Sequence, residues 1–103
     1  MNIFKKPIQF EWNKGNVNKN FHKHGVSDNE CEEVFFDEKK VALKDMLHSG
    51  KEKRFILLGK TKTKRALFIV FTVRGDKIRI ISSRDINKNE IKLYEKAIKN
   101  SKI

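Results

Sequence analysis

Ala66-Leu67-Phe68-Ile69-Val70-Phe71-Thr72-Val73-Arg74-Gly75-Asp76-Lys77-Ile78-Arg79-Ile80-Ile81-Ser82-Ser83-Arg84 is the stretch on which the fold turns. Residues 66–73 are apolar on both alternating faces, the signature of a strand covered on two sides. Gly75-Asp76 then supplies the left-handed conformation of a tight hairpin, and Lys77 to Arg84 returns with period two. This hairpin places strand 65–73 at the centre of a sheet. Working outward, Lys53 to Leu58 and Lys40 to Lys44 carry the same β-branched, period-two pattern. Polar loops containing Ser49-Gly50 and Gly59 with Lys60 to Lys64 separate them. Four antiparallel strands in meander order are expected.

The flanks read differently. Ile8-Gln9-Phe10-Glu11-Trp12 alternates as a short first strand. Val17, Phe21 and His24 share a helical face ending at Gly25, which predicts a helix over 14–24 packed through that face. Ser27 and Glu30 have capping-box spacing at the head of a second helix whose stripe is Cys31, Val34 and Phe35. Asn87 and Glu90 repeat the spacing before a closing helix to about Asn100, with Ile91, Tyr94, Ala97 and Ile98 on one face. The expectation is one α+β domain over residues 1–103, since 103 residues hold a single core.

Charge narrows the function. The chain carries 24 Lys and Arg against 13 Asp and Glu, a net +11 that folding does not require. Residues 39–65 hold ten basic and two acidic residues, whereas 28–38 are acidic without one Lys or Arg. A polyanionic partner follows. No apolar run exceeds the six residues Ala66 to Phe71, so no membrane helix is expected. The absence of a secretory pattern points to the cytoplasm. One cysteine, Cys31, excludes an internal disulfide and a multi-cysteine metal site. His22 and His24 sit roughly 200° apart on a helix and cannot share an ion. Without a glycine-rich phosphate loop or nucleotide fingerprint, no cofactor is expected.

The remaining polar set is His48, Glu52 and Arg54 at the start of one strand, with Arg79 and Arg84 on another. Each has a structural alternative: Arg79 can pair across the sheet, and Arg84 with Asp85 or Glu90 can staple the last helix. Together they suit RNA cleavage by the RNA's own 2′-hydroxyl, which needs a base, an acid and cations at the phosphorane. Single-stranded RNA bends most readily into the required geometry.

Phe10-Glu11-Trp12, Lys23-His24-Gly25-Val26, His48-Ser49 with Glu52 and Arg54-Phe55, and Arg79-Ile80-Ile81-Ser82 with Arg84, Glu90 and Tyr94 together resemble the BrnT family. These are toxins of type II toxin-antitoxin systems with a RelE-like ribonuclease fold. The likeness runs over about 85 residues in order; Asn13 stands where the family usually has Asp. The resemblance implies a metal-independent endoribonuclease that inhibits translation and is neutralised by a BrnA-type ribbon-helix-helix antitoxin. It also implies that operator DNA is reached only through that complex. On this reading His48 and Glu52 transfer protons, and Arg54, Arg79 and Arg84 stabilise phosphate. Lys19, Lys23 and Lys53 contact RNA, with Tyr94 as an accessory. The alternatives are a non-catalytic RNA- or ribosome-binding module and a copy that only binds its partner.

Overall fold

The computed structural model describes residue 4 and residues 8–45 and 52–100. In chain order it contains β1 (Gln9–Phe10), α1 (Lys19–His24), α2 (Asp28–Val34), β2 (Val41–Lys44), β3 (Arg54–Lys60), β4 (Ala66–Arg74), β5 (Lys77–Asp85) and α3 (Lys88–Asn100). One five-stranded sheet runs β1-β5-β4-β3-β2. The expected α+β layout and the meander are both present, and β4 is the central strand. The sheet is mixed, however, because β1 lies parallel to β5.

Alternation along the strands sorts their residues onto two faces. Phe55 and Leu57 of β3, Leu67, Ile69 and Phe71 of β4, and Ile78 and Ile80 of β5 are buried together with Val26, Cys31, Val34 and Phe35. Phe35, just past α2, is the hub. Its ring meets Phe10 and Phe71 edge-on at 5.2 and 5.1 Å between centroids, and Phe55 stacks on Phe71 at 5.5 Å. Burial also pushes the Cys31 thiol up to about 11, so it packs as a neutral group.

The helix caps follow the sequence. Ser27 Oγ accepts from the Glu30 N–H while the Glu30 carboxylate accepts from the Ser27 N–H. Asn87 and Glu90 make the same exchange ahead of α3. Arg65 then fastens three elements, donating to Asp85 at 2.7 Å, to Glu30 at 3.2 Å and to the Gly25 carbonyl at 2.9 Å. These contacts hold Glu30 and Asp85 below the usual carboxylate range; the Ser27 N–H leads for Glu30 and Arg65 for Asp85.

One expectation is reversed. The helix over 14–24 starts five residues later than predicted, about one and a half turns, because Asn18 adopts φ 55° and regular α-helix begins only at Lys19. Its buried residues are Asn16 and Asn20, while Val17 and Phe21 are 44% and 56% exposed and His24 also faces solvent. The reason is the β5 edge. Among the described residues β1 pairs only with Lys77 and Ile78, so the backbone groups further along that edge find no strand partner there. Asn16 Nδ2 donates to the Ile80 carbonyl at 3.2 Å, and Asn20 Oδ1 accepts from the Ser83 N–H at 2.9 Å. Two backbone groups of β5 thereby gain partners, while Val17 and Phe21 are left facing solvent.

A bulge marks the β4–β5 pairing: Val70 faces Ser82 and Phe71 faces Ile80, leaving Ile81 without a partner. Such an extra residue shifts the alternation by one.

Candidate active site

Opposite the aromatic core, the second face of the sheet carries Arg54, Thr72 and Arg79 in one cross-strand row. Thr72 is the fixed centre, 1% exposed, with its hydroxyl donating to the Lys53 carbonyl at 2.7 Å. Arg54 and Arg79 stand on either side of it, about two strand spacings or 10 Å apart. Beyond the row lie half-buried Ile56, Val70 and Ser82.

Carboxylates knit this end of the sheet together. Arg79 Nη1 donates to Glu11 at 3.2 Å and to Asn16 Oδ1 at 3.4 Å. Arg74 reaches the same Glu11 oxygen at 3.4 Å and binds Glu52 at 2.7 Å. The result is a chain Glu52–Arg74–Glu11–Arg79. Both of Arg79's bonds run from Nη1, so its Nε and Nη2 are uncommitted among the described residues. Arg54 pairs with no carboxylate among them. Arg74 holds Glu52 below the usual carboxylate range, with Arg54 and Arg79 adding to the effect, so Glu52 is ionised at neutral pH.

The approach to Arg79 is built by the turn after β1. Asn13 Oδ1 accepts from the Gly15 N–H at 2.9 Å, and the Asn13 N–H donates to Asn16 Oδ1 at 2.9 Å. A Cβ at Gly15 would stand 2.8 Å from Arg79 Nη2, so the guanidinium lies directly against the glycine. The turn uses Asn13 as an acceptor, a task either amide or carboxylate performs.

The remaining candidates are dispersed. Arg84 is on the same sheet face two rows away, bound at both nitrogens to Glu90 at 2.8 and 2.7 Å and lying 4.2 Å over the Phe68 ring. It fastens α3, and it holds Glu90 below the usual carboxylate range. Tyr94 is 5% exposed and directs its hydroxyl to Asp37 at 3.4 Å; burial, then the negative charge of Asp37, pushes it up to about 12. Its ring is packed rather than offered to a base. Lys19 and Lys23 are on α1 beyond the β5 edge, and exposed Lys53 precedes Arg54. His48 lies outside the described residues. No group of three or more His, Cys, Asp or Glu placed to hold a metal occurs among the described residues.

Glu11, Arg74 and Asn16 were absent from the sequence-derived set. In the sequence Glu11 shows as the polar member of an alternating strand and within the Phe10-Glu11-Trp12 fragment, with no role attached, and Arg74 as the residue before a turn. Asn16 and Asn20, four apart with Gly15 beside them, were the available signal for a segment held by amides.

A sequence model of the BrnT family, described as the ribonuclease toxin of a type II toxin-antitoxin system, matches residues 12–90. The chain belongs to the BrnT family. That family implies a ribonuclease toxin with an antitoxin partner and an RNA substrate. The match covers Arg54, Thr72, Arg74 and Arg79 and reaches Glu90 of the α3 cap. Among curated proteins none matches this BrnT-family chain significantly. No helix among the described residues is long and apolar enough to cross a membrane.

Proposed function

We propose that this BrnT-family chain cleaves single-stranded RNA through the RNA's own 2′-hydroxyl, without a metal, at the Arg54–Thr72–Arg79 row. The observation that carries the reading is the pair of guanidinium groups flanking one buried threonine, with Arg79 anchored through a single nitrogen and its other donors uncommitted among the described residues. Two guanidinium groups at this spacing can hold the non-bridging oxygens of one phosphodiester from opposite sides, and they stabilise the charge that grows on the phosphorane.

Glu52 is ionised at neutral pH, so it has no proton to give the leaving group and is free to accept one, which suits the role of base for the 2′-hydroxyl. His48, four residues earlier in the chain, is the proposed acid for the departing 5′-oxygen. The products are a 2′,3′-cyclic phosphate and a free 5′-hydroxyl. Lys53 and the α1 lysines Lys19 and Lys23 add phosphate attraction. Arg84 and Tyr94 are assigned to fastening α3 rather than to the reaction. Cleavage of messenger RNA in the cytoplasm would halt translation. A BrnA-type ribbon-helix-helix antitoxin would neutralise it and link the complex to operator DNA.

A second reading, an RNA- or ribosome-binding module without catalysis, is favoured by the carboxylates already seated on Arg74 and Arg79. Purified protein incubated with RNA and a chelator separates the two. The expected result is cyclic-phosphate ends that disappear in Arg79→Ala and Arg54→Ala. Intact RNA with wild-type protein, together with undiminished growth inhibition by Arg79→Ala, would overturn the nuclease reading.

A further inference from the structure

At the other end of the sheet from the arginine row, a cavity of about 770 Å³ opens between the end of α2, the β3–β4 turn and the last turns of α3. The two regions are six residues apart along β3, from Arg54 to Lys60, or about 20 Å. Phe36 stands at the mouth with 63% of its surface exposed, although the neighbouring Phe35 is wholly buried. Around it are Lys39, Lys60, Lys62, Lys64 and Lys99, all exposed. None of these ammonium groups lies in a salt bridge among the described residues.

Four carboxylates also line the cavity, and two of them are turned to backbone. Asp37 accepts from the N–H groups of Lys39 and Lys60 and from the Tyr94 hydroxyl. Glu33 accepts from the Lys62 N–H and from Asn29. Those bonds shape the wall and set the β3–β4 turn, so that its lysines point outward. Glu38 and Glu95 remain at the rim. A flat exposed ring beside several unpaired ammonium groups offers stacking and phosphate neutralisation together, the two contacts by which proteins hold single strands without reading sequence.

We propose that this cavity is a second RNA-binding site, which grips a single-stranded stretch of the substrate away from the cut by stacking a base on Phe36 and neutralising phosphates with the turn lysines. The assignment rests on the ribonuclease reading above for the identity of the strand. It makes the protein prefer longer RNA through affinity rather than through the chemical step.

The test uses the full chain and a fluorescein-labelled 2′-O-methyl oligoribonucleotide of about twelve residues, which lacks the nucleophile and reports binding alone by anisotropy. Phe36→Ala is expected to weaken binding about five- to 100-fold. Lys62→Gln with Lys64→Gln should reduce the slope of log affinity against log salt by about 1.4. Both variants should cleave a dinucleotide as wild type does, while KM for an unmodified RNA of the longer length rises and kcat holds. Phe36 and both lysines are exposed, so circular dichroism should show an unchanged fold. Wild-type affinity and salt slope in both variants would overturn the proposal. So would unchanged RNA binding with a weakened antitoxin complex, since the cavity would then be a protein-docking surface. Binding with these dependences by a wild type that never cuts RNA would refute the nuclease reading and leave the site standing.

Discussion

Replacing Asn16 with alanine removes more than any surface asparagine should. Its side chain is 2% exposed and joins four partners: Nδ2 donates to the carbonyls of Glu11 at 3.0 Å and Ile80 at 3.2 Å, and Oδ1 accepts from the Asn13 N–H and from Arg79. Each hydrogen bond contributes about 0.5–1.5 kcal/mol net, and a buried partner left alone costs about 1–3 kcal/mol. The Ile80 carbonyl is buried, whereas water can reach the other partners. Asn16→Ala should therefore lose about 2–4 kcal/mol, a large share of the roughly 5–15 kcal/mol that holds a domain together. For a chain of this length that is on the order of 10–25 °C in Tm. Urea denaturation followed by far-ultraviolet circular dichroism measures it. The control is Asn18→Gly: Asn18 has φ 55° and makes no side-chain cap bond, so glycine should change stability by less than about 0.5 kcal/mol. A loss below about 1 kcal/mol for Asn16→Ala would refute the idea that side-chain amides close the β5 edge.

Gly15→Ala should shift the urea midpoint much less than Asn16→Ala, because the atom it strikes hardest is the far end of the Arg79 side chain, with Asn13 Oδ1 next at 3.3 Å, yet lower RNA cleavage about ten- to 100-fold by displacing that guanidinium; equal activity would remove Arg79 from the site. Gly59→Ala is the reverse case, since its Cβ would lie 2.8 Å from Val34 Cγ1 and 3.1 Å from Asp37 Oδ2, and overpacking of α2 on β3 should cost about 1–3 kcal/mol in the same denaturation assay. Glu30, Glu52, Asp85 and Glu90 all have folded-state pKa values below their ordinary range. Their contribution is thus present above about pH 4.5 and lost as pH falls through the lowered values. Urea midpoints should drop steeply below about pH 4, and Glu90→Gln should flatten that drop.

What the residues declared on their own depended on range. Local signals were accurate: the Gly75 turn, the Ser27 and Asn87 caps and the all-apolar run 66–71 each act through neighbours a few residues away. The first helix departs from its apolar spacing because Val17 and Phe21 carry no information about a strand edge contributed by residues 79–85, which Asn16 and Asn20 cover instead. The site divided the same way. Arg54 and Arg79 share a row only through two strand registers, and the Glu11 link joins residues 68 apart in sequence. Arg84 offered two roles from sequence, and its position next to the α3 cap put it with Glu90. Of the five arginines, four hold carboxylates, which fits guanidinium being kept where a planar fork is needed in a lysine-rich chain.

Arg79 and Arg84 are an odd number of residues apart, so a regular strand would set them back to back. Ile81, the residue without an opposite number, rotates everything after it by half a pleat. Ser82 and Arg84 thereby come round to the side of Arg79, and the Ser83 side chain goes inward, where it is wholly buried. Deleting that one isoleucine would exchange the two sides downstream, driving a guanidinium toward the phenylalanines and cutting α3 loose from its tether. One supernumerary residue thus decides which way the end of β5 looks.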